Sequence, residues 1–156
     1  MTANVVTQGP ATIRHRVGIE APPTRVFEWL GTTAGLAEWW TRDVRGDAAA
    51  GGRLEFWFGG PGPSAVMDVV EATPARRVVW RCVEGPEEWM GTELAFDVAD
   101  GDGETVVLFT TTWRAPNEFL YHCSTRWAYF LLSLKAGVER GAATPWPDDA
   151  KSDRWG

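Results

Sequence analysis

The chain has 156 residues, 44% of them hydrophobic and 23% charged, with 10 Trp, 17 Gly and 10 Pro, a composition that excludes the disordered and collagenous classes and allows one hydrophobic core without a disulfide or metal staple. Fifteen Lys and Arg against 21 Asp and Glu give a net charge of −6, which opposes phosphate backbones and anionic membranes, so neither nucleic acid nor a membrane is an expected partner. No stretch has the apolar length of a membrane span, and Met1 to Pro10 lacks the basic and apolar regions of a signal peptide, so the expected location is the cytoplasm.

Ile13, His15, Val17 and Ile19 alternate with charged neighbours, which predicts a strand over Ile13 to Glu20. Pro22-Pro23-Thr24 ends it and opens a short helix carrying Val26, Phe27 and Leu30 up to Gly31. Thr32-Thr33 can cap a second short helix, Ala34 to Trp40. Period-two alternation returns at Leu54, Phe56 and Phe58, then in Ala65 to Ala72, Arg77 to Val83, Thr92 to Val98 and Thr105 to Trp113. The Gly59 to Pro63 cluster, Thr73-Pro74-Ala75 and Asp100-Gly101-Asp102-Gly103 are turns, so these strands run as an antiparallel meander in which Trp57 and Val79 point outward.

Pro116-Asn117 halts the sheet. From Glu118 to about Gly141 the residues Leu120, Cys123, Trp127, Phe130, Leu131, Leu134 and Val138 form one apolar stripe of a long helix. Residues 1–10 and 142–156 read as extended termini of a single domain, the latter with Trp146 and Trp155 docked at an unspecified place. The order is α+β, and burying the helix stripe requires a strongly curved sheet, helped to bend by Gly51-Gly52 and Gly59-Gly60.

Ala21-Pro22-Pro23-Thr24-Arg25-Val26-Phe27, Trp39-Trp40, Gly51-Gly52-Arg53-Leu54 and Pro74-Ala75-Arg76-Arg77-Val78-Val79-Trp80, in this order, make residues Ala11 to Gly141 resemble the SRPBCC superfamily, the START-like or birch-pollen-allergen helix-grip fold. The resemblance is strongest to the branch named for homology to the C-terminal domain of a heat-shock-protein ATPase activator. It implies a seven-stranded antiparallel sheet around the C-terminal helix, with Asp43 to Arg45 as a further short strand, and a cavity between sheet and helix. Functions in the superfamily range from lipid carriers to cyclases, so the fold alone does not select one.

Three functions are then weighed. The leading one is binding of a small hydrophobic, aromatic or polycyclic molecule by Trp39, Phe56, Phe58, Met67, Trp80, Phe96, Phe109, Thr111, Cys123 and Trp127, with Thr111 orienting a polar group and no cofactor. The second is a cyclase or dehydratase in which His15, His122 or an inward carboxylate moves a proton. Alternation places either Asp68 or Glu71 inward, although rim charge paired with arginine is the plainer reading. The third is a regulatory or chaperone-associated module using an exposed face and the Trp-containing tail. Cys82 and Cys123 read as buried free thiols, two His and two Cys make a metal site improbable, and a homodimer through edge strands or the outer sheet face is a candidate assembly. The loops Gly59 to Ser64 and Gly85 to Trp89 are candidate gates.

Overall fold

A computed structural model describes residues 9–156; the expected extended N-terminal stretch lies, apart from its last two residues, outside the described residues. The elements run β1 (Ala11–Ile19), α1 (Pro23–Leu30), α2 (Thr33–Trp39), β2 (Asp43–Gly46), β3 (Arg53–Trp57), β4 (Ala65–Thr73), β5 (Arg77–Glu84), a 3-10 turn (Glu87–Trp89), β6 (Glu93–Asp100), β7 (Thr105–Trp113) and α3 (Glu118–Arg140). The seven strands form one antiparallel sheet in the order β1-β7-β6-β5-β4-β3-β2. This is the α+β helix-grip fold, with the strand at Asp43–Gly46 that the resemblance implied.

Local chemistry sets the helix ends. Pro23 opens α1 where a missing N–H costs nothing, and Thr32 caps α2 by accepting from the Gly35 amide at 2.9 Å. Asn117 caps α3 by accepting from the Leu120 amide at 3.0 Å, and Gly141 closes it in the left-handed conformation, φ 66°. The predicted stripe of α3 faces the sheet: Cys123, Trp127, Phe130, Leu131, Leu134 and Val138 are all buried.

Two expectations are corrected. Asp68 and Glu71 do not divide between the faces of β4, because the pairing with β5 slips between Val69 and Glu71. The slip inserts one residue, Val70, and puts both carboxylates on the outer face, where Asp68 pairs with Arg53 at 2.7 Å and Glu71 lies 4.0 Å from Arg77. Val79 is only 4% exposed despite its outward phase, and Trp57 is half-buried, with the Arg45 guanidinium 3.9 Å from its ring centroid and its Nε1 donating to Glu55 at 2.9 Å. The outer sheet therefore offers less apolar surface at these two residues than alternation predicts.

The tail after α3 folds back along the helix. The Trp146 amide donates to the Trp40 carbonyl at 2.9 Å and the Arg42 amide to the Trp146 carbonyl at 3.2 Å, so this segment continues from the end of α2 as a parallel bridge. Ser133 of α3 donates to the Trp39 carbonyl and accepts from the Thr144 amide, tying helix, α2 and tail at one hydroxyl. Gly59 makes room for the Trp146 ring: with φ +80°, a Cβ there would stand 2.8 Å from that indole.

Candidate functional site

The inner face divides into a packed region and an open one. In the packed region Trp39, Phe56, Met67, Trp80, Phe96 and Phe109 are at most 1% exposed. Trp80 meets Phe96 edge-on at 5.3 Å between ring centroids, and Phe96 meets Phe109 at 5.2 Å. Rings placed this way occupy the space between sheet and helix. Trp40 stands at the boundary, stacked on Trp80 at 6.1 Å and against Trp127 at 4.8 Å.

Beyond Trp40 and Trp127 lies a cavity of about 390 Å³, partly open to solvent, between the first half of α3, the two predicted gate loops and the tail. Trp127, Phe130, Phe119 and Trp155 are among its aromatic walls, with Phe58 and Trp89 reaching in from the loop side. Its polar side chains are Ser64, His122, Cys123, Arg126, Asp149 and Lys151. Of the ten ligand contacts expected from sequence, Phe58, Cys123 and Trp127 line this cavity. Trp39, Phe56, Met67, Trp80, Phe96, Phe109 and Thr111 lie in the packed region, Thr111 being 5% exposed. Ser64, Pro86 and Trp89 from the gate loops border the cavity.

The two histidines have different surroundings. His15 is held against α3, its Nε2 3.1 Å from the Ser124 carbonyl and 3.3 Å from the Ser124 hydroxyl, and does not line the cavity. His122 lines it, with Nδ1 2.8 Å from Asp153 of the tail. The His122 ring beside Asp153 holds that carboxyl below the usual carboxylate range. Burial, with the Glu88 and Asp153 charges adding to it, pushes the Cys123 thiol up to about 12, so it faces the cavity protonated.

One wall of the cavity is an ionic clamp. Asp149, with a side chain 2% exposed, pairs with Arg126 of α3 and, at 3.0 Å, with Lys151. Arg126 also donates to the Ala150 carbonyl at 2.6 Å and lies over the Phe130 ring. Two cations thus share one carboxylate, which ties the tail to α3 and leaves the clamp one positive charge in excess. The Nε1 groups of Trp89 and Trp113, whose rings meet edge-on at 6.2 Å, are buried with no acceptor among the described residues.

Sequence reasoning missed His122's partner and five tail residues at the cavity, Trp146, Asp149, Lys151, Trp155 and Gly156. A Trp-rich tail was the one signal that pointed to them. Because these residues are part of the wall, removal of Ala143 to Gly156 cannot separate a partner-binding role from ligand binding.

Residues 20–139 match the family model described as Activator of Hsp90 ATPase homolog 1-like protein. The solution structure of an Aha1 dimer from Colwellia psychrerythraea is 39% identical, with a TM-score of 0.76 over 84% of this chain and 98% of that one. A conserved protein of unknown function from Enterococcus faecalis is 17% identical, TM-score 0.69, over 90% of this chain and 78% of that one. CalU16 from Micromonospora echinospora is 17% identical, TM-score 0.68, over 88% and 86%. The last two likenesses show the fold alone. No curated protein matches the chain.

Proposed function

Because the chain belongs to the Activator of Hsp90 ATPase homolog 1-like family, within the SRPBCC superfamily, we propose that it binds a small hydrophobic molecule of aromatic or polycyclic character in the cavity between α3, the gate loops and the tail. The observation that carries this reading is the cavity itself: about 390 Å³ and walled by aromatic rings, beside a region where comparable rings pack solidly. That volume lies within the roughly 300–1,000 Å³ of small-molecule sites, which are lined by apolar groups with a few placed polar ones. On this reading the ligand lies against Trp127 and Phe130 and under Trp155, at the cavity mouth rather than among Trp39, Trp80 and Phe96. A homodimer is proposed as the working assembly, supported by the dimeric state of the Colwellia psychrerythraea protein and by the exposure of Leu108 and Val70 on the outer sheet.

Native against denaturing mass spectrometry of freshly purified protein tests the reading. The expected result is a discrete mass lost on denaturation and regained on adding a flat aromatic such as fluorene. A bare protein that also takes up no fluorene contradicts it.

A further inference from the structure

His122 is the imidazole of the cavity wall, deeply placed and with one ring nitrogen in use. Its side chain is 9% exposed, and Nδ1 faces the Asp153 carboxylate at 2.8 Å. A carboxylate only accepts hydrogen bonds, so the nitrogen facing it carries the hydrogen, and the neutral ring then presents Nε2 as an acceptor. No described residue bonds to Nε2. Phe119 stacks on the ring at 5.9 Å and Trp155 meets it edge-on at 5.4 Å, which fixes its plane.

The rest of the wall narrows what this acceptor can take. Arg126, Asp149 and Lys151 are already paired with one another. Two cations share the one carboxylate, so the clamp carries one positive charge in excess and disfavours a cationic ligand. A neutral donor on an aromatic frame meets both halves of the cavity, its ring on Trp127 and Phe130 and its donor on the imidazole. A phenolic O–H is a stronger donor than an aliphatic one.

Resting on the binding reading above, we infer that the cavity selects hydroxylated aromatic molecules, with His122 accepting the ligand hydroxyl at Nε2 and Asp153 serving as the positioning residue that fixes the ring. The tail thereby supplies specificity as well as a wall.

Three flat tricyclic probes of similar shape test this by calorimetric titration: fluorene, with no polar group; 2-hydroxyfluorene, a donor; and 9-fluorenone, an acceptor only. The full chain should bind 2-hydroxyfluorene about tenfold tighter than fluorene, as one buried hydrogen bond provides, with no such gain for 9-fluorenone. His122→Phe should abolish the preference, so that 2-hydroxyfluorene binds no tighter than fluorene to that variant, with a circular-dichroism spectrum and melt matching the parent chain showing that it is folded. Asp153→Ala should reduce the preference severalfold, and Asp153→Asn, whose amide oxygen still accepts from Nδ1–H, should restore it. A preference that survives His122→Phe, a wild-type chain without preference, or a preference for 9-fluorenone overturns the inference while fluorene binding still supports the cavity reading. Failure of all three probes to bind overturns both.

Discussion

Cys123 sits on the cavity wall with a thiol pushed up to about 12 by burial and by the charges of Glu88 and Asp153. At pH 8 its thiolate fraction is then roughly a thousandfold below that of an exposed cysteine. Iodoacetamide should label it correspondingly slowly in the native protein and at the ordinary rate in urea, as followed by intact mass; labelling at the exposed rate would contradict the buried setting. The paired carboxylates behave in the opposite sense. Arg45 beside Asp43, Arg53 beside Asp68, Lys135 beside Glu139 and His122 beside Asp153 each hold the carboxyl below its ordinary range by a side-chain hydrogen bond. A depressed folded-state value contributes stability that is present above the unfolded value, near pH 4, and is lost as pH falls through the folded one. Urea midpoints should therefore fall below about pH 4, with a smaller change in high salt because the Asp43–Arg45 and Asp68–Arg53 pairs are exposed. A midpoint constant down to pH 2 would show that the pairs contribute nothing.

At the scale of elements, the tail is the segment whose behaviour most affects the site. Asp149→Ala leaves the Arg126 guanidinium, only 13% exposed, without its carboxylate. Loss of one partner of a buried pair costs about 3 kcal/mol, and for a chain of this size that lowers Tm by about 8 °C. A thermal melt unchanged within a degree or two would show that the clamp holds nothing. Gly59→Ala should be destabilising too, since φ +80° disfavours a Cβ that would also press on Trp146. The elements themselves were legible in the sequence because periodicity, prolines and caps act locally: the strand alternations, Thr32, Asn117 and Gly141 all do what residue chemistry dictates. Two things were not legible. The slip at Val70 leaves no local mark, and that single inserted residue puts both Asp68 and Glu71 on the outer face where strict alternation turns one of them inward. The tail's path depends on long-range contacts, Trp146 with the end of α2 and Asp153 with His122, which no spacing within the tail encodes.

At the scale of the whole molecule, a packed core lies next to a separate cavity. The inner-face residues expected to touch a ligand were identified by phase, and phase says which way a side chain points but not whether space remains beside it. Phe58, Cys123 and Trp127 border the cavity, whereas Trp39, Trp80 and Phe96 are packed into the core. The proposed dimer belongs to this scale as well. Light scattering should give twice the 17.2 kDa chain mass, and Leu108→Lys on the outer sheet should lower it to the monomer; a monomer at all concentrations would remove the proposal without touching the cavity. The ten tryptophans supply a direct test of the central claim, because each indole N–H gives its own signal in a proton–nitrogen correlation spectrum. On titration with 2-hydroxyfluorene the account predicts that the signals of Trp127, Trp155 and Trp89 move while those of Trp39 and Trp80 stay fixed. Movement of Trp39 and Trp80 without the others, or of none, would contradict it.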